Sequence, residues 1–272
     1  MCFCSKHLGE VPRGKAWALV TGSAKGIGRQ YAEQLAAKGY NLYMVDIDEA
    51  IITEARIVAE HYSVKCVGMV MDLAEVGAAR RLHDITVAEG YAFDVVINNA
   101  GVFSFCDILN TPLERIERLM QLHDITLASM CRLYGEDMLK RGKGRILNMS
   151  SYSIWMPFPG LSLYSASKAY LKSFSVAYAK EMRDKKVYVT AVCPGGIATD
   201  LYGLSRKWQG IGLKLHALST PKFCARRGLN SLWRKRKCIV PDWWMRLFIP
   251  FCLLLPRFAM NWLRNFTAKW QK

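Results

Sequence analysis

The chain has 272 residues, of which 51% are hydrophobic, and its formal net charge at pH 7 is +16. This length allows one large domain or two small ones, and the apolar share excludes general disorder. The charge is uneven, because residues 201–272 hold 15 Lys or Arg against one acid, Asp242. The basic character therefore belongs to the C-terminal part of the chain.

Neither a membrane-spanning segment nor a signal peptide is expected. No run of about 18 uncharged apolar residues occurs, and residues 1–14, predicted as a loose N-terminus, lack the apolar run of a signal peptide. The nine cysteines are scattered and odd in number, which predicts reduced thiols and a cytoplasmic protein. Cys2 and Cys4 have no second pair at metal-ligand spacing, so we expect no metal site.

The first predicted unit is a strand, a glycine-rich turn and a helix. Residues 16–21, AWALVT, are typical of a short buried strand, and GSAKGIG follows at 22–28. The helical pattern RQYAEQLAAKG then ends at Gly39. Glycines let the backbone approach a pyrophosphate closely, and a helix N-terminus favours its negative charge. This context predicts a phosphate-binding loop with the spacing GxxxGxG.

A second strand, residues 40–46, ends in an acid. Asp46 lies 18 residues after Gly28, where it can accept hydrogen bonds from the hydroxyl groups of an adenosine ribose. The alternative is an ordinary aspartate at the end of a strand. Strands and helices then continue to alternate: helix 49–61, strand 64–71, a helix ending near 88, strand 93–98, helix 112–141, strand 145–149, a helix ending near 183 and strand 187–192.

This alternation predicts an α/β fold, a Rossmann-like doubly wound parallel sheet with helices on both faces, in a single domain of residues 15–200. Ligands of such sheets bind beyond the carboxyl ends of the strands. Six candidate motifs follow strands: the glycine loop, Asp46, Asp72, the Asn99 loop, Ser151 and the Pro194–Gly195 loop. We therefore expect one site at this edge of the sheet.

Ser151, Tyr164 and Lys168 have a spacing that suits proton transfer. The tyrosine and the lysine are four residues apart, so on a helix they share one face. A free tyrosine has a pKa of about 10, and a lysine ammonium within about 4–6 Å favours the phenolate. The serine precedes the tyrosine by 13 residues, and its hydroxyl can hold a carbonyl or alkoxide oxygen there. A YxxxK pattern by itself more often corresponds to a surface tyrosine and lysine on an amphipathic helix.

Together these motifs resemble those of the short-chain dehydrogenase/reductase family, in the group with TGxxxGxG and YxxxK. The resemblance covers about residues 15–200, and it rests on TGSAKGIG at 21–28, Asp72-Leu73, NNAG at 98–101, Ser151, YSASK at 164–168, and Pro194-Gly195 followed by Thr199. It implies a Rossmann-like fold and hydride transfer between a nicotinamide cofactor and a carbonyl or alcohol carbon. A homo-oligomer, dimer or tetramer, is also expected.

The resemblance implies a role for each matching residue. Tyr164 would be the general acid/base, and Ser151 would orient the substrate oxygen. Lys168 would bind the nicotinamide ribose and favour the phenolate. Asp72 would contact adenine and Asn99 the adenosine side. The cofactor-binding residues expected in this way are Thr21, Gly22, Ser23, Lys25, Gly26, Ile27, Gly28, Asp46, Asp72, Leu73, Asn99, Ala100, Gly101, Tyr164, Lys168, Pro194, Gly195, Ile197 and Thr199, the last two near the carboxamide.

One position departs from the family pattern. The family completes a catalytic tetrad with an asparagine 28 residues before the serine and 22 after the last glycine of NNAG, and both counts reach His123. The asparagine is thought to anchor a water that relays protons to the lysine. A histidine ring can hydrogen-bond at both nitrogens, so His123 is a candidate fourth catalytic residue. The alternative is a histidine that packs inside the helix.

The cofactor preference has two opposing signals. Asp46 would repel a 2′-phosphate and accept from a 2′-hydroxyl, which favours NAD. Lys25, inside the glycine loop, is the kind of cation that NADP-preferring relatives use there. Repulsion at the ribose should outweigh one flexible lysine, so the expected cofactor is NAD, with NADP as the alternative.

Residues 201–230 are predicted to be a substrate lid and residues 231–272 a basic amphipathic tail. The lid is apolar, which suggests a hydrophobic substrate, although a helix packed on the domain would have the same pattern; its apolar residues are Leu201, Tyr202, Leu204, Trp208, Ile211, Leu213 and Leu215. In the tail, RKRK at 234–237 precedes interleaved aromatics, aliphatics and cations, which favour a peripheral membrane surface. A cap over the pocket or a subunit interface is the second choice, and nucleic acid is the least favoured partner because no recognition motif accompanies the charge.

The predicted function is therefore an NAD(P)-dependent oxidoreductase that acts on a hydrophobic ketone or secondary alcohol, similar to a hydroxysteroid dehydrogenase. A 3-oxoacyl thioester reductase is the alternative within the enzyme class. A catalytically silent, cofactor-binding membrane-associated protein is the alternative of another class. The complete set of Ser151, Tyr164 and Lys168 argues against the silent protein, and the missing asparagine argues for it.

Overall fold

The structure is a computed structural model that describes residues 16–156, 158–199, 205–214, 217–242 and 244–254. The strands are β1 (Trp17–Thr21), β2 (Asn41–Asp46), β3 (Cys66–Val70), β4 (Phe93–Asn98), β5 (Gly144–Met149), β6 (Val187–Val192) and β7 (Cys238–Ile239). The helices are α1 (Gly26–Ala36), α2 (Ala50–Tyr62), α3 (Ala78–Ala88), α4 (Leu113–Met120), α5 (Leu127–Lys140), α6 (Ser162–Glu181), α7 (Arg206–Lys214), α8 (Pro221–Trp233) and α9 (Met245–Leu253).

The strands form one parallel sheet in the order β3-β2-β1-β4-β5-β6-β7. The chain reverses direction across the sheet between β1 and β4, which creates a crevice at the carboxyl ends of these strands. The strands are continuous apolar runs because both faces of the sheet are covered by helices. The predicted doubly wound α/β fold is confirmed.

Each face of the sheet has its own apolar core. On one face, Tyr31 of α1, Ile51 of α2 and Leu229 of α8 pack against the strands. On the other face, Leu82 of α3 and Met130 of α5 pack with residues of α6. These side chains are almost fully buried, and each contributes roughly 1.5–3 kcal/mol through burial of its apolar surface. The two cores hold the strand ends, and therefore the site, in fixed positions.

The ordered domain extends past the predicted boundary at residue 200. The helix α8 has a side-chain N-cap, because Thr220 Oγ1 accepts from the Phe223 N–H at 3.1 Å. Pro221 occupies the first turn, where proline is favoured. Its buried face packs on α1, and β7 then pairs with β6 at the edge of the sheet. The part of the predicted lid from 221 to 230, and the start of the predicted tail, therefore belong to the core. The sequence did not indicate this because β7 has only two residues.

The basic and apolar parts of the predicted tail lie on either side of β7 in the chain and make different contacts. RKRK precedes β7 and runs beside β6, where the Ala191 N–H donates to the Lys237 carbonyl at 2.9 Å and Lys235 Nζ lies 4.3 Å from the Tyr188 ring centroid. The helix α9 follows β7, and the Tyr152 hydroxyl donates to the Met245 carbonyl at 2.8 Å. RKRK therefore contacts β6, whereas α9 contacts the turn that follows β5.

Several predictions from the sequence lie outside the described residues. They are the loose N-terminus of residues 1–14 with Cys2 and Cys4, the lid residues Leu201, Tyr202, Leu204 and Leu215, and the tail beyond residue 254. In the described part of the chain, no helix is long and apolar enough to cross a membrane. The same part contains no group of three His, Cys, Asp or Glu side chains arranged to hold a metal ion.

Candidate active site

The glycine loop between β1 and α1 forms a narrow backbone cradle. Gly22 and Gly26 have φ angles of +63° and +62°, a conformation that side chains disfavour. A Cβ atom on Gly22 would lie 2.8 Å from Ala100 Cα, and one on Gly28 would collide with the Gly22 carbonyl. The cradle therefore requires glycine, and it leaves backbone N–H groups at the start of α1 for an anionic ligand.

Three of the predicted cofactor residues brace this loop from behind. Thr21 Oγ1 accepts from the N–H groups of Asn99 and Ala100, both at 3.0 Å. The Asn99 amide donates to the carbonyls of Thr21 at 3.0 Å and Gly22 at 2.9 Å. Ser23 is buried and its hydroxyl donates to the Val20 carbonyl at 3.0 Å. Thr21 and Ser23 therefore hold the loop in place and do not line the cleft.

A cleft of about 820 Å³ opens along the carboxyl ends of β1, β2 and β4. It is long and partly apolar, and the cradle at its floor is the kind of surface on which a pyrophosphate binds, so the residues present fit a dinucleotide. The predicted cofactor residues that line it are Gly22, Lys25, Gly26, Ile27, Asp46, Asp72, Leu73, Asn99, Ala100, Gly101 and Thr199.

The carboxylate of Asp46 is fixed at the end of β2. It accepts from the Ala24 N–H at 2.9 Å and from the Asp48 N–H at 3.1 Å, which directs it to the ribose end of the cleft. Lys25 pairs with Asp48 at 3.4 Å, and its side chain is 71% exposed. An exposed pair of this kind contributes little, so the negative charge of Asp46 dominates this end of the cleft.

Asp72 follows β3, the strand next to Asp46, and it pairs with a cation that was not predicted from the sequence. Arg118 Nη2 donates to Asp72 Oδ2 at 2.7 Å, and Asp72 Oδ1 accepts from the Ala74 N–H at 2.8 Å. Both residues line the cleft, where a base edge would approach them. Arg118 comes from α4, 46 positions away, so no local pattern could have indicated the pair.

Tyr164 and Lys168 lie together on α6 beside the inner end of the cleft. Both are about 5% exposed, and Lys168 Nζ is 5.8 Å from the Tyr164 ring centroid. A Cβ atom on Gly101, which lines the cleft, would be 3.4 Å from Lys168 Nζ. The lysine also donates to the Met149 carbonyl at 3.1 Å. Burial lowers the pKa of Lys168 to about 8, although the nearby charge of Asp124 opposes the shift.

Ser151 follows β5 and is 8% exposed. Its hydroxyl oxygen accepts from the Ser153 N–H at 3.1 Å and caps a short 3₁₀ turn at Tyr152–Trp155. The hydroxyl proton can then donate to a substrate oxygen. Ser151, Tyr164 and Lys168 do not line the large cleft themselves, and they lie beyond its Gly101 end.

His123 lies in a π-helical turn, Gln121–Thr126, that joins α4 to α5. Its Nε2 accepts from the Val102 N–H at 3.1 Å, and its Nδ1 contacts Ser167 Oγ at 2.9 Å. Because Nε2 accepts, the proton belongs on Nδ1, and the ring is neutral. Burial, and then the charge of Lys168, lower the pKa of His123 well below its usual range. Both ring nitrogens join the Gly101 loop to α6, which favours the packing alternative over a water relay.

Asp124 is a buried acid beside the lysine that sequence reasoning missed. It is 7% exposed, and its Oδ1 has no hydrogen-bond partner within the part of the chain that the structure describes. Burial raises the pKa of Asp124 to about 6, while the charge of Lys168 opposes this shift. The family pattern directs attention to position 123, and only the π-helical turn brings the next residue towards α6.

Two phenylalanines form an apolar wall beside the tyrosine. The Phe103 ring meets Tyr164 edge-on at 5.0 Å between centroids and stacks with Phe105 at 6.4 Å. The Cys106 N–H donates to the Gly160 carbonyl at 2.9 Å, which ties this loop to the start of α6. The signal in the sequence is the segment VFSF directly after NNAG, in which three of four residues are apolar.

The Pro194–Gly195 loop closes the other side of the site. The Pro194 carbonyl accepts from the Tyr152 N–H at 2.7 Å, and Met245 of α9 packs directly on Gly195. Ile197 is buried in the core, so it positions the loop from behind. Thr199 lies over the glycine loop, and a Cβ atom on Gly26 would be 3.5 Å from its methyl group.

Comparison with known proteins identifies the family. The family model for short chain dehydrogenase matches residues 16–210. A diacetyl reductase, (S)-acetoin forming, from Staphylococcus epidermidis is 32% identical over 186 residues, 68% of this chain and 72% of that protein. A very-long-chain 3-oxoacyl-CoA reductase from Anas platyrhynchos is 33% identical over 198 residues, 70% of this chain and 62% of that protein.

Solved structures show the same fold. A 7beta-hydroxysteroid dehydrogenase matches with a TM-score of 0.81 at 23% identity, covering 94% of this chain and 98% of that one. A short-chain dehydrogenase from Sphingobium yanoikuyae in complex with NADPH matches with a TM-score of 0.76 at 24% identity, covering 93% of each chain.

The chain therefore belongs to the short-chain dehydrogenase family, and it is an oxidoreductase of the NAD(P)-dependent class. The family assignment and the enzyme class predicted from the motifs are confirmed.

Proposed function

We propose that the protein transfers hydride between a nicotinamide cofactor, preferably NAD, and a hydrophobic ketone or secondary alcohol. The observation that carries this proposal is the position of the buried Tyr164 and Lys168 beside Gly101, at the inner end of a cleft with a glycine cradle. A bound nicotinamide would supply or accept the hydride. The residues of the chain supply the proton, the orientation and the exclusion of water.

Tyr164 is the proposed general acid/base. In ketone reduction its hydroxyl gives a proton to the substrate oxygen, and in alcohol oxidation its phenolate takes that proton back. The Lys168 ammonium stabilises negative charge on the phenolic oxygen, and the low exposure of both groups strengthens this attraction. Ser151 donates a hydrogen bond to the same substrate oxygen and fixes its direction.

Asp46 supports the preference for NAD. Its carboxylate is held by two backbone N–H groups, so it cannot move aside to admit a 2′-phosphate without losing both bonds. The two cations nearest this end, Lys25 and Arg29, pair with Asp48, Glu33 and Glu54. With Asp46, the acids at this end outnumber these two cations, so neither cation is left over to neutralise a phosphate.

A hydrophobic substrate is supported by the apolar surroundings of Tyr164. Phe103 and Phe105 form one wall, and Met245 covers the Gly195 loop. The described part of the predicted lid, α7, presents Trp208 with 62% of its surface exposed. Two candidate classes follow, a compact polycyclic ketone such as a ketosteroid and a 3-oxoacyl thioester, the second in keeping with the relative from Anas platyrhynchos.

Turnover on a substrate panel tests the proposal. Purified protein is incubated with NAD(H) or NADP(H) and with ketosteroids, 3-oxoacyl thioesters and a small diketone, and the absorbance of reduced nicotinamide is followed. We expect turnover with at least one hydrophobic carbonyl and faster rates with NAD(H). Cofactor binding without turnover on any member would favour the catalytically silent alternative. Turnover of the small diketone alone would exclude the hydrophobic substrate.

We also propose that α9 contacts a membrane surface through its apolar side. Leu247, Phe248 and Leu254 are 63%, 52% and 79% exposed, and the sequence beyond them adds four cations and no acid. Interleaved apolar and basic residues suit an anionic interface.

Vesicle pelleting tests the membrane proposal on the full chain. We expect stronger binding to anionic than to neutral vesicles and partial release in high salt. Replacing Leu247 and Phe248 by Asp should weaken binding at least tenfold. The control is Leu109→Asp, because Leu109 is 96% exposed at a site remote from α9 in sequence. Equal loss in both variants, or no preference for anionic lipid, would exclude this surface.

We propose that a homo-oligomer forms through the surface of α6 around Tyr170. Tyr170, Phe174 and Tyr178 form a row of stacked rings there, with centroids 5.9 and 5.6 Å apart, and Tyr170 is 42% exposed. Phe174 and Tyr178 are partly buried against the core, and exposed aromatic residues such as Tyr170 are enriched at subunit interfaces. Sedimentation of the wild type should give a dimer or tetramer, and Tyr170→Glu should shift it towards the monomer. A monomeric wild type would contradict the proposal.

A further inference from the structure

Two thiols meet at the edge of the sheet, one residue from the site. Cys193 follows β6, Cys238 opens β7, and their Sγ atoms are 3.8 Å apart. Cys193 is fully buried, whereas Cys238 is partly exposed. The family motifs do not use either residue. A third thiol, Cys252 of α9, lies 4.0 Å from the Tyr152 hydroxyl in the same apolar cluster.

The two thiols have different electrostatic environments. A hydrogen bond from Cys193 lowers the pKa of Cys238, and the cations Lys172 of α6 and Arg246 of α9 act in the same direction, against desolvation. The same contact with Cys238, and then burial, raise the pKa of the Cys193 thiol. An accessible thiolate beside a buried protonated thiol is the arrangement of an attacking and a resolving cysteine.

The pair is mechanically connected to the proposed active site. Cys193 is followed directly by Pro194, whose carbonyl accepts from the Tyr152 N–H next to Ser151. On the adjacent strand, the Ser150 N–H donates to the Val192 carbonyl at 2.8 Å. A disulfide has a bond length of about 2.05 Å, so closing the pair must shorten the Sγ–Sγ distance by roughly 1.7 Å. Because Cys193 directly precedes Pro194, any backbone shift that accompanies this closure would move the loop after β6.

We propose that Cys193 and Cys238 form a reversible modification site for small disulfides such as oxidised glutathione, and that its oxidised form has a slower hydride-transfer step. The Cys238 thiolate attacks one sulfur of the small disulfide, whose S–S bond breaks and releases one thiolate. The Cys193 thiol then loses its proton to solvent and attacks the Cys238 sulfur, which releases the second thiolate. The protein pair loses two electrons and two protons, and the small disulfide gains them as two thiols.

The chemistry of the pair stands independently, whereas its effect on turnover rests on the proposed function. The full-length protein is incubated with oxidised glutathione, quenched with an alkylating reagent and mapped by mass spectrometry of peptides. We expect a Cys193–Cys238 disulfide, reversed by dithiothreitol. Cys193→Ser should accumulate the glutathione adduct on Cys238, because no resolving thiol remains. A disulfide between Cys238 and Cys252, or a Cys193→Ser protein without adduct, would overturn the assignment.

Turnover is then measured before and after oxidation. We expect at least a tenfold loss in the wild type that dithiothreitol restores, and no loss in Cys238→Ser. The matched control is Cys106→Ser, a partly exposed thiol outside the cluster, which should lose activity on oxidation as the wild type does. A mapped disulfide with unchanged turnover would refute the effect on the site and leave the modification in place. Reduced protein with no turnover would instead contradict the proposed function, since peptide mapping does not depend on activity.

Discussion

The two halves of the sheet build their parts of the site differently. On the β1–β2 side, the cleft is formed largely by backbone: Gly22 and Gly26 at positive φ, and Asp46 held by neighbouring N–H groups. On the β5–β6 side, the proposed proton-transfer groups are buried side chains whose neighbours come from distant parts of the chain. The first half depends on local sequence. The second depends on packing, so its charges are tuned by burial and its geometry can be perturbed from a distance.

The largest expected effect comes from removing the transferable proton on the side-chain half. Tyr164→Phe keeps the ring, which packs against Phe103, but lacks the hydroxyl. We expect kcat to fall by roughly 10²–10⁴-fold, the usual contribution of a positioned acid/base, with the Kd for cofactor unchanged. Steady-state kinetics and cofactor titration check this.

The control for that variant is Tyr170→Phe. This tyrosine is on the same helix, is 42% exposed and has no proposed role in proton transfer. It should retain wild-type kcat. If Tyr164→Phe also retained wild-type kcat, the proton donor would have to be another group.

Asp46→Ala tests the backbone half. The variant removes the charge that repels a 2′-phosphate, so the ratio of kcat/KM for NADP to that for NAD should rise about tenfold, or about 1.4 kcal/mol. Asp46→Asn separates charge from shape, because it keeps an acceptor for the Ala24 N–H. It should give most of the same change. A wild type that already prefers NADP would show that Lys25 decides the preference.

Two variants, His123→Leu and His123→Asn, test whether His123 has a packing role or relays protons. The leucine cannot accept from the Val102 N–H or bond Ser167, so we expect a loss of about 1–3 kcal/mol in the free energy of unfolding. Asparagine should recover part of it. Since the pKa of His123 is lowered in the fold, its contribution to stability is present above the unfolded value of about 6.5 and is lost as pH falls. Thermal unfolding measured between pH 7 and 5 should show a smaller decrease in stability with falling pH for His123→Leu than for the wild type.

The same histidine variants give a kinetic readout. The ring is neutral in the fold, so neither variant should change the dependence of kcat on pH between 6 and 7. A wild-type ionisation in that range that disappears in both variants would restore the relay role.

The smallest expected effect is a shift in the pH dependence of activity in Asp124→Asn, on the alkaline side of the profile. The Asp124 carboxylate supports the charged form of Lys168, whose pKa burial lowers to about 8. Activity that requires the ammonium should therefore fall above about pH 8 in the wild type. Without the carboxylate, the pKa of the lysine should fall further, and the alkaline limb should move to lower pH. An unchanged limb would show that Asp124 does not act on Lys168.

The sequence by itself determined most of the first half. The order of strands and helices, the glycine loop, Asp46 and the Asn99 loop were all predicted, because these features are set by turns, φ angles and short spacings that local residues encode. The positions of Tyr164 and Lys168 on one helical face were predicted for the same reason.

Only the tertiary structure decided the rest. Three pairs of side chains are separated by tens of residues, and no local pattern brings such partners together. They are Arg118 with Asp72, Asp124 with Lys168, and Cys193 with Cys238. The two-residue strand β7 also escaped prediction, although it lies between RKRK and α9 in the chain and adds the last strand to the sheet. Burial, which lowers the pKa of Lys168 and raises that of Asp124, is a property of the packed chain and of no single segment.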